Sequence, residues 1–480
     1  MMRSPRIGAA AVAVLTAACF HEAQPADTCT SDNCDDDGSG GTTSPGESSS
    51  GASTTATSAT TQDGSEASTT TTTQPSDSSG SSGGQALCGD GEAEADEQCD
   101  DGNADPFDGC HECMPSPQLS WRFTQDYVGG DDRAESVFGD GTGVLVAGMG
   151  ANVGGDDAIW LRVADGDISP PGFFHAADLP DVNRLFDITR RGDSCAIGGV
   201  VTPIRGTLQV AGNFIDCDDG TPQQALPFSA PEAAGTEDAL TAVVLDGNGD
   251  VIVGGHRLHG GAVFGWIQRF DPTGAMVLET LWLDDAVAFG AGSRVQALAF
   301  DGAGRLLVAG TSGVAPAQHG FAAIYDAGAL DQAMRLGADD LSTEASDIVA
   351  TPQAIVISGW TIVDEVDRDA IVQSIPVGGG DAVTWTLAGP DDDRAHGVAA
   401  TDEGIAVTGG TTTAQGGRDL FVAWLDADLA ERARAVFDGP THGFDEGRDL
   451  VADADAVVVA GTVATPGGGD MLVQRWLPPP

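Results

Sequence analysis

Lysine is absent from this chain of 480 residues. All 21 of its basic residues are arginine, set against 73 Asp and Glu, for a formal net charge of -52. A polyanion of this kind repels nucleic acid and anionic lipid headgroups, so neither is an expected partner, whereas cations are favoured as ligands. Two accounts of the missing lysine stand side by side: a salt-rich exterior that screens self-repulsion, or a GC-rich genome that spells Arg. No apolar run is long enough to cross a bilayer; Ile7 to Ala18 is too short. The eight histidines are scattered, with no His-x-x-x-His pair and no metal-ligand spacing. Carboxylate pairs abound, but in so acidic a chain they say nothing about glycosidase chemistry.

What is present is a repeat. Val144-Leu145-Val146-Ala147-Gly148 returns as Cys195 to Gly199, Val251 to Gly255, Leu306 to Gly310, Ile355 to Gly359, Ile405 to Gly409 and Val457 to Gly461. The closing glycines are spaced 51, 56, 55, 49, 50 and 52 residues apart. One short apolar strand per period of about fifty marks a repeat architecture. The sixth copy is the clearest. Ala382 to Leu387 is one strand, Asp393 to Ala400 a second, Ile405 to Gly409 a third and Asp419 to Leu425 a fourth. Turn chemistry such as Asp246-Gly247-Asn248-Gly249 separates them. Four short strands per unit fit a propeller blade, with the apolar strands buried between neighbours. Small residues at their ends are expected to let tapering blades approach the axis. Residues 118–480 are thus expected to form an all-β, seven-bladed β-propeller of four-stranded blades. The lone strand Leu119 to Gln125 would complete the last blade and remove an open edge.

Three segments precede it. Residues 1–19 read as a signal, with Arg3 and Arg6 ahead of the apolar run. The run ends Leu15-Thr16-Ala17-Ala18-Cys19, which resembles the bacterial lipoprotein box; the resemblance implies lipidation at Cys19. An ordinary cleaved signal would leave Cys19 without a role. Residues 20–87 read as a disordered Ser/Thr/Gly-rich linker, without apolar periodicity to offset the ordering entropy. Cys29 and Cys34 can close a small loop there. Gly80 to Gly84 formally matches a nucleophile elbow, but no strand precedes it and no helix follows.

Residues 88–117 form a cysteine-rich module. Cys88, Cys99, Cys110 and Cys113 in an exported chain read as two disulfides with three connectivities. Zinc on these four cysteines is disfavoured where thiols oxidise. The pattern Cys88-Gly89-Asp90-Gly91, Glu97-Gln98-Cys99-Asp100-Asp101-Gly102-Asn103, Asp108-Gly109-Cys110 and Cys113 resembles the cysteine-rich repeat of myxobacterial surface proteins, which implies an extracellular module. Asp90, Asp100, Asp101, Asn103 and Asp108 are candidate calcium ligands; equally, these residue types build tight turns. The propeller copies resemble a bacterial β-propeller repeat family through Gly129-Gly130, Asp132-Arg133-Ala134, Asp157-Ala158-Ile159, Asp246 to Asp250 and Asp419 to Ala423. That family carries no catalytic residues into this chain.

Within the propeller a polar residue precedes each second strand: Asp132, Asn183, Asp238, Ser293, Glu344, Asp393 and Glu446. The acids Asp132, Asp238, Glu344, Asp393 and Glu446 would ring one channel mouth and bind a cation. Alternatively each accepts backbone N–H bonds and pairs an arginine such as Arg133, Arg184 or Arg394. Asp246, Asn248 and Asp250 begin like a calcium loop but lack its distal glutamate, so a hairpin turn is expected. Arg191-Gly192-Asp193-Ser194 falls where other copies have the same turn and is read as chance. Cys195 and Cys217 are expected to face each other within about one residue and to form a disulfide.

Two functions follow. The first is a non-catalytic binding or scaffold protein on the cell surface, anchored in the outer membrane through lipid or otherwise secreted. No cofactor is expected, calcium being the one candidate, and its expected partner is an extracellular protein or glycan; it is expected to be a monomer. The second is a secreted enzyme acting on polysaccharide with carboxylates at the channel mouth. An enzyme should break the repeat with unique, clustered acid, His or Arg residues. A scaffold should keep its polar positions equivalent.

Overall fold

The computed structural model describes residues 110–111, 114–127 and 130–139, and from residue 143 to 479 the strands with most of their turns. The signal, Cys19, the linker, Cys88, Cys99, Cys113, Asp90, Asp100, Asp101, Asn103 and Asp108 lie outside the described residues. Cys110 begins a two-residue strand, Cys110–His111, that pairs with Met114–Pro115.

Among the described residues the chain makes six four-stranded sheets and one five-stranded sheet, in addition to that short pair. All but the last follow chain order, each strand antiparallel to the next. The sixth sheet is Arg394–Thr401, Gly404–Thr412, Arg418–Leu425 and Glu431–Phe437, called here its inner, second, third and outer strands. The last sheet takes Glu446–Asp453, Ala456–Thr465 and Gly468–Leu477, then borrows Gln118–Gln125 from the start of the domain as its outer strand. The sequence-based closure therefore holds: Thr124 pairs with Leu472 and Phe123 with Val473. The expectation of four strands in every blade fails in the first sheet. There two-residue strands Asp167–Ile168 and Gly172–Phe173 both pair with the third strand, Gly155–Ala164.

The core shows how the sheets are arranged. It divides into clusters, each joining one sheet to its successor. One cluster packs Leu420, Val422 and Trp424 of the sixth sheet against Val457, Val459 and Trp476 of the seventh. Another packs Val458, Ala460 and Val473 of the seventh against Val137, Val144 and Ile159 of the first. The circuit is thereby closed, which makes the fold an all-β propeller. Side chains alternate faces along a strand. Val457 and Val459 accordingly face one neighbour, and Val458 and Ala460 the other. Burial on both faces is why the repeated strand is apolar at every position rather than at alternate ones.

The closing glycine has a different cause from the one expected. Each inner strand carries a β-bulge near its start, as between Ala134 and Ser136, between Ala395 and Gly397, or between Gly447 and Asp449. The bulge presses a carbonyl oxygen against the second strand. A Cβ on Gly148, Gly199, Gly255, Gly310, Gly359, Gly409 or Gly461 would overlap the carbonyl oxygen of Arg133, Arg184, Ala239, Arg294, Glu344, Arg394 or Glu446 respectively. The glycine thus admits the neighbouring strand of its own sheet; it does not serve the approach to the axis.

Hairpin turns close through aspartate. Asp246 Oδ1 accepts from the backbone of Asn248 at 2.8 Å and of Asp250 at 2.9 Å, and Arg269 pairs both acids. Asp301 does the same for Ala303 and Arg305. The calcium-loop look of Asp246 to Asp250 is this turn chemistry.

Candidate functional site at the channel mouth

At five of the seven inner strands a polar residue near the start, Asp132, Ser293, Thr343, Asp393 or Asp445, is a clamp between successive sheets. Its backbone N–H reaches the preceding sheet: Asp132 donates to Gly469 at 2.7 Å, Thr343 to Gln318 at 3.1 Å and Asp393 to Arg368 at 2.7 Å. Its side chain adds further ties. Ser293 Oγ donates to Leu283 O at 2.8 Å and accepts from Gly265 N at 3.0 Å. Thr343 Oγ1 repeats this with Leu336 O and Gly320 N, both at 2.9 Å. Asp132 Oδ2 accepts from Tyr127 N at 2.7 Å, and Asp393 Oδ1 from Thr411 Oγ1 at 2.7 Å and Thr412 N at 3.0 Å. Each of these clamp side chains is fully buried.

Two members of the expected carboxylate ring are therefore misplaced. The clamps are Thr343 and Asp445, and Glu344 and Glu446 stand one residue later on the other face of the strand. The error arose because Thr343-Glu344-Ala345 and Asp445-Glu446-Gly447 each offer two polar residues before the small one. Arginine pairing was also misassigned. Asp238 pairs Arg257 at 2.9 Å, whereas Arg394 pairs Asp392. Asn183 starts the second sheet's inner strand, in the register of Asp132.

Sequence reasoning missed a second set of acids. Asp187, Asp347 and Asp449 follow the bulge in three inner strands and line a central cavity of about 420 Å³. Each carboxylate reaches the inner strand of the next sheet: Asp187 accepts from Val243 N at 2.6 Å, Asp347 from Val398 N at 2.9 Å and Asp449 from Val137 N at 2.8 Å. Burial pushes Asp187 up to about 7, and nearby Asp449 adds to the rise. Burial pushes Asp449 up to about 6 and raises Asp347 well above the usual range. The signal was an acid two residues after the position of Ala134 in the repeat, where other copies carry Ser136, Ala242, Ala297 or Gly397.

The same cavity reaches a group that breaks the repeat. His396 and Arg448 line it, and both belong to a charged cluster drawn from the fifth, sixth and seventh sheets. His396 Nε2 lies 2.7 Å from Glu446 Oε1, which also accepts from Arg418 Nη1 at 2.9 Å. Arg448 Nη2 lies 2.8 Å from the other oxygen. Asp392 accepts from Arg394 through both oxygens, at 2.9 and 2.7 Å, contacts Arg418 and lies 3.5 Å from Arg368. Trp360 packs edge-on to His396 with centroids 5.4 Å apart and carries the Arg394 guanidinium at 5.3 Å. Glu446 is fully buried. Burial would raise its pKa, but Arg448, His396 and Arg418 hold it well below the usual carboxylate range. Burial lowers His396 against the upward pull of Glu446. Burial raises Glu344, opposed by Arg394, Arg368 and Arg294.

Among the described residues no other copy repeats this network. In the register of His396 the others carry Glu135, Phe186, Thr241, Gln296, Ser346 and Arg448. A buried imidazole fixed by a charged carboxylate can take up or release a proton. Arg368, Arg394, Arg418 and Arg448 gather around Asp392 and Glu446, and guanidiniums are suited to a carboxylate or sulfate.

Cys195 and Cys217 form a disulfide, with Cα atoms 5.2 Å apart. In register Cys195 opposes Ile215, so Cys217 joins from two residues beyond, one more than the sequence suggested.

Residues 79–114 match a family described as a domain of unknown function (DUF4215), over the cysteine-rich module. Comparison with curated proteins found no match. Among solved structures, the polysaccharide lyase Uly1 is similar at 10% identity and TM-score 0.46, covering 72% of this chain and 90% of its own. Sqt1 of Chaetomium thermophilum is similar at 11% identity and TM-score 0.42, covering 72% and 83%. The Trypanosoma rangeli sialidase is similar at 11% identity and TM-score 0.40, covering 65% and 56%.

Proposed function

We propose that this chain is an exported enzyme, displayed through a lipid on Cys19, whose seven-bladed propeller binds an acidic polysaccharide at the channel mouth and acts on it by proton transfer. The observation that carries this reading is the repeat-breaking network of His396, Glu446, Arg418 and Arg448 beside the central cavity. Clamps that recur from sheet to sheet explain assembly, and a structural role needs nothing more. A buried His–Glu pair ringed by arginines occurs once among the described residues and costs desolvation of its charges, which a scaffold does not require. In an otherwise strongly acidic chain, the arginines supply a local attraction for anionic sugar groups. His396 would exchange the proton, Glu446 would orient it, and Arg394 and Arg448 would hold the anionic group.

The test is incubation of the full chain with acidic and neutral polysaccharides, reading new reducing ends and ultraviolet absorbance of unsaturated products. Cleavage of an acidic polymer, lost in His396→Ala and reduced in Glu446→Gln, supports the proposal. Binding on affinity gels without cleavage returns the protein to the non-catalytic reading. Neither binding nor cleavage of any polymer overturns both.

A further inference from the structure

At the junction of the sixth and seventh sheets, Asp419, Asp438 and Asp445 bring carboxylate oxygens within 4.8 Å of one another. They come from three separate segments. Asp419 is on the sixth sheet's third strand, Asp438 follows its outer strand, and Asp445 is the clamp ahead of the seventh. Acids gather often on so acidic a chain, so proximity alone carries nothing. The second observation is Asp419 itself. It is 2% exposed, and its Oδ1 has no hydrogen-bond partner. The Thr413 hydroxyl, at the position of Thr465 in the next sheet, lies beside it and lowers its pKa as a donor does, but makes no hydrogen bond of normal geometry. Asp438 Oδ1 is a third buried oxygen without a partner, although its other oxygen contacts the exposed His442. Asp445 has both oxygens satisfied, by Ala464 N at 2.6 Å and by Gly439 N. Buried carboxylate oxygens short of donors, clustered with other carboxylates and with only the exposed His442 as a nearby cation, call for a further positive partner.

The next junction serves as an internal comparison. Asp126, Asp132 and Asp470 occupy the repeat-equivalent positions and also cluster. There Asp470 accepts from Thr465 Oγ1 at 3.1 Å and Asp132 from Tyr127 N at 2.7 Å. No oxygen of that group is buried without a partner.

We propose that Asp419, Asp438 and Asp445 hold a hard divalent cation, calcium by preference, at the junction of the sixth and seventh sheets. Every donor is oxygen, which selects calcium or magnesium over softer metals. Magnesium demands a near-ideal octahedron, whereas calcium accepts ligands at irregular positions, as donors from three separate segments are. A neighbouring surface pocket of about 330 Å³, lined by Asp438 and also by Arg122, would give the ion and its waters a route from solvent. The ion would join two sheets where the protein itself supplies no hydrogen bond between these acids.

The full chain, stripped with a chelator, is titrated with CaCl2 at constant ionic strength by calorimetry, and its Tm is followed. MgCl2 is the comparison, and Asp419→Asn, Asp438→Asn and Asp470→Asn are the variants. Binding is expected at about 10⁻⁴–10⁻³ M, the range of extracellular calcium modules, with a Tm that rises with calcium. Asp419→Asn and Asp438→Asn should lose that heat and that rise, and Asp470→Asn should keep both. Should Asp419→Asn fail to fold, the more exposed Asp438→Asn decides. Calcium binding unchanged in Asp438→Asn, or no calcium response in the parent at about 10 mM, ten times the weak end of that range, overturns the proposal. A stronger response to MgCl2 overturns the preference for calcium.

Discussion

Replacing Asp187 by asparagine should change the stability of the propeller in opposite senses at low and high pH. Burial pushes this carboxyl up to about 7, whereas an aspartate in the unfolded chain titrates near 3.9. Between those values the folded chain keeps a proton that the unfolded chain has released. The stabilisation is therefore complete below about pH 4 and is lost as pH rises through about 7. One pH unit is worth about 1.4 kcal/mol, so a window of roughly three units bounds the loss near 4 kcal/mol. Channel water reaches part of the residue, which reduces the expected loss to about 1–3 kcal/mol. Asparagine imitates the protonated acid. Its oxygen can keep the Val243 bond and its amide can donate to Ser136, but the bond from Ile188 N is lost, at about 1 kcal/mol. Urea unfolding followed by tryptophan fluorescence should show Asp187→Asn weaker than the parent at about pH 4. By about pH 8 the balance should have moved in the variant's favour by about 1–3 kcal/mol. An equal difference at both pH values would refute the claim that Asp187 is protonated in the folded chain.

Three further outcomes are expected. Gly409→Ala should cost about 3 kcal/mol or more, because its Cβ meets the Arg394 carbonyl oxygen and the bulge must move; a thermal melt within a degree or two of the parent would contradict this account of the repeated glycine. Serine at both Cys195 and Cys217 should cost about 3 kcal/mol, as expected for closing a loop of this size, read as a lower urea midpoint. Metabolic labelling with a fatty-acid analogue should mark the parent chain and not Cys19→Ser, and equal labelling of both would remove the lipid anchor from the proposal.

Local chemistry made much of the fold legible. The Val-x-Val-Ala-Gly strands, the Asp-Gly-Asn-Gly turns and the unpaired strand near residue 120 together imply a closed propeller, because each is a short-range rule of strand, turn or edge. The disulfide was also within reach, since the hairpin register leaves Cys195 few partners. What sequence alone could not decide is which face a residue takes after a bulge. Thr343-Glu344 and Asp445-Glu446 each offer two polar residues, and only the packing of the sheets makes Thr343 and Asp445 the clamps; just after them the bulge shifts register by one. It also turned Asp187, Asp347 and Asp449 toward the channel. The His396–Glu446 pair joins residues 50 positions apart in successive sheets, and Asp419 meets Asp445 only across a sheet junction. Such meetings depend on ring closure and on the packing of one sheet on the next. Composition, spacing and period describe a single repeat at a time, and the candidate cluster exists only where three of them converge.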